Sequence, residues 1–255
     1  MALTACRSDE KTISSTRKIP AKFKQQSDVL ASLVRGLASA DRSEELSSWR
    51  QPYDLAARSA DSFERLDELV AAGEGKAWTE PDDFTDRLHS DDPEAVYEAL
   101  DEAVRSGATV EELARAVAFA AGKRVAQFSV ANEFSDWNTV HHTFTFANAV
   151  HRAAERAPST ALYRGVYDAA TNVYLDRFLN TPPAPVPAVE TDADPQSELE
   201  GLRHCFEMEG EVNAAGAHAA HFLDGGGDPT GLKATLSNAL LKEDTGFHPF
   251  QAAER

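Results

Sequence analysis

The residues best suited to chemistry lie between Asn132 and His151, in the segment NEFSDWNTVHHTFTFANAVH. Three histidines, His141, His142 and His151, stand there among aromatic residues and asparagines. The pattern is typical of an apolar helix that carries polar, metal-capable side chains where a plain core helix would carry leucine or valine. Burial of such groups is costly unless they have partners. The partners can be one another, a metal ion or a substrate, and the segment by itself leaves these alternatives open.

Orientation on the helix limits how these histidines can cooperate. At about 100° per residue, His141 and His151 share one aromatic-rich stripe, whereas His142 points about 100° away from it. A straight helix therefore cannot direct His142 and His151 at one ion. A mononuclear site would take one histidine from this helix and its other ligands from elsewhere. The alternative is a set of core histidines satisfied by hydrogen bonds.

Further candidate groups lie outside that stripe. His218 and His221 are three residues apart, a spacing that places two imidazoles side by side and suits Zn, Fe, Cu or Ni, although alanine-rich helices also carry it by chance. His248, between phenylalanines in GFHPFQ, suits a ligand, a proton-transfer group or a packed residue near the chain end. Glu133 is positioned to orient a histidine or bind a metal, and Asp136 is predicted to cap the helix.

Several well-known catalytic motifs are missing from the sequence. It contains no phosphate loop, no GxGxxG, no G-x-S-x-G and no HExxH. The paired Glu-x-x-His motifs of ferritin-like di-iron bundles are also absent. The two cysteines, Cys6 and Cys205, cannot form a zinc site, a disulfide framework or a CxxC redox pair. Both are predicted to be reduced thiols of a cytoplasmic protein.

Composition narrows the class of partner. The chain has 255 residues and a net charge of −17, from 42 acidic and 25 basic residues. Nucleic acids and anionic membranes attract basic surfaces, so neither is an expected partner. No run of about 18 apolar residues is long enough to span a membrane, and the N-terminus lacks the apolar stretch of a secretory signal.

The elements that must position these groups are predicted to be helices throughout. Apolar residues recur at helical spacing from about residue 27, prolines and glycines fall at helix ends, and no alternating strand pattern occurs. We therefore expect an all-α fold: a disordered tail over 1–22 and one multi-helix domain over 23–255, with orthogonal or bundle-like packing and a proline-rich surface linker at 181–195. The helices are predicted at about 27–37, 53–72, 95–105, 110–130, 132–151, 158–179, 195–223 and 229–243, followed by a turn or short helix at 246–255. Asp92 before Pro93 is predicted to cap the helix at 95–105, and Thr109 with Glu112 is predicted to form a capping box for the next one.

Three long segments carry a resemblance to a known family. These are NEFSDWNTVHHTFTFANAVHRA, YRGVYDAATNVYLDRFLNTPPAPVP and EVNAAGAHAAHFLDGGGDPTGLKATLSNALLKEDTGFHPFQ. They resemble the large helical region of actinobacterial Rieske-type iron–sulfur proteins, in which that region is joined to a separate cluster domain. The resemblance covers about residues 27–251. It implies a helical fold and points to His142, His151 and His248, whereas His218 and His221 lie outside the family's pattern.

The sequence also departs from the pattern of this family at several positions. The family often has histidine where Ser129 stands and an apolar residue where His141 stands. A Rieske cluster needs C-x-H and C-x-x-H pairs, and Cys6 and Cys205 belong to no such pair. No iron–sulfur cluster is therefore expected in this chain.

The leading hypothesis is a metal-dependent oxidoreductase with non-haem iron, acting on a small organic molecule in a buried helical pocket. His142 and His248 would be ligands, with Glu133 or His151 completing the shell, since histidine with carboxylate suits iron that keeps open positions. The pocket walls would be aromatic: Trp137, Phe144, Phe146 and Phe247. The resemblance implies an electron-transfer protein as a partner.

Two other hypotheses stay open. One is a metal-free enzyme that uses histidine as general acid or base, such as an isomerase, cyclase or decarboxylase. The other is a non-catalytic helical partner of a redox protein, which an exposed apolar patch near Trp49 or Trp78 would favour. The alanine-rich surface is also typical of proteins that form homodimers.

Overall fold

The computed structural model describes residues 42–208 and 210–242, together with scattered residues between 31 and 40. The chain divides into two compact units, residues 1–46 and 47–255. In the first unit, the described part contains one 3-10 helix, Ser43–Glu45. The tail predicted at 1–22, most of the helix predicted at 27–37 and the segment predicted at 246–255 lie outside the described residues.

The regular elements described in the second unit are all helices, with no strand among the described residues, which confirms the predicted all-α class. A 3-10 helix, Ser47–Trp49, precedes nine α-helices in this described part. The α-helices are α1 (Leu55–Gly73), α2 (Phe84–Leu88), α3 (Pro93–Arg105), α4 (Val110–Ala126), α5 (Phe134–Arg156), α6 (Ala161–Asp176), α7 (Pro195–Cys205), α8 (Val212–Asp224) and α9 (Pro229–Lys242).

Helix starts follow from local capping chemistry. Asp92 accepts a hydrogen bond from the Glu94 backbone N–H just before Pro93 opens α3. Thr109 and Glu112 form the predicted capping box of α4: the Thr109 hydroxyl accepts from the Glu112 N–H, and the Glu112 carboxylate accepts from the Thr109 N–H. Both predicted caps are confirmed.

Helices α1 to α6 pack around one large core. Helix α4 lies at its centre, because small buried residues such as Ala116, Ala120 and Ala121 let α5 and α6 approach closely. Trp49 is 1% exposed and belongs to this core, so its own side chain contributes no exposed apolar surface. Trp78 is partly buried and packs edge-on against Phe84, with ring centroids 5.3 Å apart.

A buried polar network joins α1, α3 and α6 inside this core. Asp101 of α3 is 5% exposed and accepts hydrogen bonds from Tyr167 Oη at 2.7 Å and Ser62 Oγ at 3.1 Å. Arg58 and Arg65 of α1 donate to its other oxygen at 3.2 and 3.1 Å. The Asp101 carboxylate is thus fully partnered, which makes this network a structural support.

The prediction of one long helix over 195–223 is wrong. The chain breaks after Cys205 and turns back at Gly210, whose φ of +90° suits glycine. The physical reason is burial: folding back lets Leu199 and Leu202 of α7 pack against Phe222 of α8 and Leu232 of α9. A continuous helix would leave these apolar faces in water.

None of the helices in the described ranges is both long enough and apolar enough to cross a membrane.

Candidate functional site

The inner face of α5 is not the face that carries the predicted histidine ligands. The buried positions of this helix are Val140, Thr143, Ala147, Val150 and Ala154. His142 lies one residue before Thr143, and its side chain is exposed.

His151 lies farther along the same helix. Its Nε2 is 3.9 Å from Glu155 Oε1, one turn away, and 15% of its side chain is exposed. His142 and His151 are nine residues apart in one continuous helix, a rise of about 13 Å. Ligand atoms of a single ion lie only about 4 Å apart, so one ion would take only one of these two histidines.

Glu133 stands at the N-cap position of α5 and is exposed. Its backbone N–H donates to Asp136 Oδ2 at 3.2 Å, which confirms the predicted capping role of Asp136. Asn132 lies beside them and donates its side-chain amide to the Leu179 carbonyl. Glu133 therefore lies where α5 begins, beside the chain segment that follows α6.

The predicted metal set stays a prediction. His248 and the predicted wall residue Phe247 lie outside the described residues. Among the side chains that the structure does describe, no three from histidine, cysteine, aspartate and glutamate are grouped so that they could hold a metal ion.

The aromatic residues that were predicted to line one pocket lie in different surroundings around α5. Trp137 packs edge-on against Phe128, with centroids 5.2 Å apart, and lies 6.0 Å from the His141 ring. Phe144 packs against the main core. Phe146 is 40% exposed. Phe144 and Phe146 thus meet different surroundings and do not line one pocket together.

The HxxH pair contacts a carboxylate on the neighbouring helix. His218 Nδ1 lies 2.7 Å from Glu198 Oε2, and His221 Nδ1 lies 3.8 Å from the same oxygen. An ideal Cβ at Gly201 would lie 2.5 Å from His218 Cε1, so the imidazole packs directly on the backbone of α7. This cluster ties α7 to α8.

The buried chemistry of the main core lies at residues that the sequence analysis did not select. Asp176, the last residue of α6, is 3% exposed, and Arg124, near the end of α4, is 5% exposed. Asp176 Oδ2 has no hydrogen-bond partner in the described chain, and neither do Arg124 Nε and Nη2. Thr143, on the inner face of α5, supplies a hydrogen bond to Asp176. Helices α4, α5 and α6 thus meet at the Asp176 carboxyl group, of which one oxygen has no hydrogen-bond partner among the described residues.

Burial sets the electrostatics of this pair. It raises the pKa of Asp176 to about 7, against smaller lowering effects of Thr143 and Arg124. Burial also lowers the pKa of Arg124, and Asp176 counters that effect. A guanidinium still keeps its proton in proteins. Arg124 and Asp176 are therefore near neighbours that interact electrostatically without forming a direct ion pair.

His89 and Arg177 are titratable or charged residues that lie near the pair of Arg124 and Asp176. His89, after α2, places Nε2 2.9 Å from the Ala120 carbonyl; burial and then Arg124 lower its pKa to about 4, so the ring is neutral at pH 7. Arg177 pairs with Asp91 at 3.2 Å and stacks on Tyr174 at 3.6 Å. Arg177 thus forms a direct ion pair, whereas Arg124 interacts with Asp176 without a direct ion pair among the described residues.

Asn180 closes the end of this region. Its Oδ1 accepts from the Ser129 N–H at 3.1 Å, and its Nδ2 donates to the Gln127 carbonyl at 2.8 Å. Gln127 follows Arg124 by three residues and Asn180 follows Asp176 by four. About one helical turn therefore separates the polar pair from the bonds that fasten the two chain segments together.

A sequence signal for this site did exist. Val110 to Val130 reads as an interior helix that is apolar around much of its circumference, and Arg124 interrupts its second half. A charged residue on the buried part of such a helix needs a partner. The partner, Asp176, is 52 positions away, which sequence periodicity does not reveal.

Comparison with known proteins adds no further assignment: no protein-family model, no curated protein and no solved structure matches this chain. The resemblance to the helical region of Rieske-type proteins stays a prediction.

Proposed function

We propose that this chain is a metal-free enzyme that moves a proton on a small organic molecule, with Asp176 as the acid–base group. The carrying observation is a carboxyl group that is 3% exposed, has one unpartnered oxygen and interacts electrostatically with Arg124, which itself keeps two unpartnered donors. Isomerisation, cyclisation and decarboxylation are the reaction classes that such chemistry serves. A role for a buried carboxylate replaces the histidine that the sequence favoured.

Proton transfer is most efficient when the pKa of the acid–base group lies near the working pH. Burial raises the pKa of Asp176 to about 7, so both protonation states are populated near neutrality. Thr143 orients the carboxyl, and the positive charge of Arg124 would stabilise negative charge that develops on the substrate. Perturbed buried groups of this kind cluster at functional sites.

The fully partnered carboxylate of Asp101 supplies the contrast. Asp101 is also buried between helices, but two hydroxyls and two guanidinium groups satisfy it. Stability alone therefore explains Asp101. It does not explain why Arg124 and Asp176 keep unpartnered atoms, because each such atom costs about 1–3 kcal/mol.

Entry to the site requires motion, because both side chains are almost fully buried. The bonds of Asn180 to Ser129 and Gln127 are the contacts whose release would open the end of the region. The cytoplasm is the proposed compartment, since Cys205 is a buried free thiol.

Hydrogen–deuterium exchange tests this proposal without knowledge of the natural substrate. The purified full chain, treated with EDTA, is incubated in D₂O with small carbon acids, including pyruvate, acetoacetate, acetone and cyclopentanone. Proton NMR follows replacement of carbon-bound hydrogen. We expect at least one compound to exchange faster than in buffer, and Asp176→Asn to reduce that acceleration at least tenfold.

The matched control is Asp67→Asn, which changes an exposed carboxylate of α1 and should leave the exchange unchanged. Exchange by the untreated protein that EDTA abolishes would overturn the metal-free assignment and favour a metal-dependent site instead. Full exchange in the Asp176→Asn enzyme would remove Asp176 from the reaction.

A further inference from the structure

The unpartnered atoms of Arg124 lie on one edge of its side chain. They are Nε and Nη2, and both are buried. In a planar guanidinium, the N–H bonds of Nε and Nη2 point the same way, about parallel, and form a two-pronged donor. The structure thus leaves a complete side-on fork without an acceptor among the described residues.

A carboxylate is the acceptor that fits such a fork. Its two oxygens match the spacing of the two N–H groups and accept both bonds at once. Asp176 does not fill this role, because its Oδ2 and both prongs of the Arg124 fork are without hydrogen-bond partners among the described residues. A single oxygen, as in a ketone or alcohol, would satisfy only one prong.

Local charge favours a singly charged anion. Arg177 is paired with Asp91 and His89 is neutral at pH 7, so Arg124 and Asp176 set the charge of the site, which is one positive charge when Asp176 is protonated. A monocarboxylate would neutralise it. A phosphate, with a charge near −2 at neutral pH, would leave excess negative charge buried beside Asp176.

We propose that the substrate carries a carboxylate, which Arg124 binds side-on through Nε and Nη2 with Asp176 facing the same ligand. The identification of the ligand as a substrate rests on the proposed function, whereas binding of the carboxylate by Arg124 does not depend on turnover. Arg124 is then the residue that selects acids over their neutral analogues.

The test is a titration of the full-length, ¹⁵N-labelled protein with acetate, benzoate and inorganic phosphate, at an ionic strength held constant with chloride. The probe is the Arg124 Nε–H resonance, assigned by triple-resonance spectra and by its loss in Arg124→Lys. We expect acetate or benzoate to shift this resonance saturably and to bind at least tenfold more tightly than phosphate, while chloride leaves it unmoved.

Arg124→Lys is the matched variant, since it keeps the positive charge and loses the fork. We expect at least tenfold weaker binding of the carboxylate, measured by calorimetry, with an unchanged near-ultraviolet circular dichroism spectrum. The wild-type titration stands by itself if this variant does not fold. Equal binding in both proteins, phosphate binding as tight as that of the carboxylates, or no saturable shift would each overturn the assignment.

The outcomes separate this inference from the proposed function. Carboxylate binding at Arg124 without any deuterium exchange keeps the inference and removes the enzymatic role. Exchange on pyruvate that is as fast in Arg124→Lys as in the wild type keeps the enzymatic role and removes the inference.

Discussion

Two arginines buried in the same core show what partnering does at the scale of a residue. Arg58 is 11% exposed in its side chain and binds Glu94 at 2.9 Å and Asp101 at 3.2 Å. Arg124 is equally inaccessible but has two donors without an acceptor in the part of the chain that is described. Removing one partner of a buried pair strands the other charge, whereas removing an unpaired charge strands nothing.

The first prediction follows from this contrast. Arg58→Met should lower the free energy of unfolding by about 3 kcal/mol, because Glu94 and the buried Asp101 each lose one of their charged partners. Arg124→Met should change it by less than about 1 kcal/mol or raise it, since methionine fills similar volume without a charge. Urea denaturation of both variants measures the difference. A loss in Arg124→Met as large as that in Arg58→Met would mean that Arg124 is a structural residue.

Sequence reasoning could reach only part of this residue-scale picture. Caps such as Asp92, Thr109 and Asp136 act within one turn, so their roles follow from neighbouring residues and were confirmed. Arg124 and Asp176 meet only because α4 and α6 pack side by side. That pairing depends on tertiary packing and leaves no local signature.

At the scale of the element, the HxxH pair shows how a motif can serve packing. Gly201 is in the middle of α7, where glycine is otherwise unfavourable by roughly 1 kcal/mol relative to alanine. The His218 ring of α8 occupies the space where a Cβ at Gly201 would lie. The same ring forms a hydrogen bond with Glu198, which lies on α7 together with Gly201. The glycine therefore permits the close approach of α8.

The second prediction uses that close approach. Gly201→Ala should destabilise the protein by about 1 kcal/mol or more relative to Gly216→Ala, because its Cβ would displace His218 from Glu198. Gly216 has open space around it in α8, so alanine there should gain helix propensity. Thermal unfolding of the two variants gives the comparison.

A double variant provides the control. In a His218→Ala background the obstacle is gone, so Gly201→Ala should become neutral or stabilising. If Gly201→Ala costs the same in both backgrounds, then His218 does not occupy the space above Gly201.

Helix existence was more predictable than helix termination. Apolar periodicity located α1, α3, α5 and α6, since those helices bury one continuous stripe in the core. The break between α7 and α8 escaped prediction because the periodicity continues across it. Only the mutual burial of Leu202 and Phe222 selects the hairpin over the long helix.

At the scale of the whole molecule, the buried Asp176 couples stability to pH. Its folded pKa is about 7 and its ordinary value is 3.8, so between these values the folded state holds more protons than the unfolded state. The free energy of unfolding should therefore fall as the pH rises from about 4 to about 7. His89 acts in the opposite direction: its folded pKa of about 4 lies below 6.5, so its contribution rises over that range.

The third prediction isolates the Asp176 contribution from that of His89. Asparagine does not titrate, so the stability of Asp176→Asn relative to the wild type should increase by on the order of 3 kcal/mol from about pH 5 to about pH 8. Urea denaturation at each pH measures this difference, and Asp67→Asn serves as the exposed control. A difference that is constant across the range would mean that Asp176 titrates alike in both states.

The central claim is that Asp176 is a buried carboxyl poised to exchange a proton near neutral pH. The most direct test is a ¹³C NMR titration of its side-chain carboxyl in the full-length protein, assigned by comparison with Asp176→Asn. We predict a midpoint near pH 7. A midpoint near pH 4, the value of an ordinary exposed aspartate, would contradict the acid–base assignment and leave the pair with Arg124 as a structural contact.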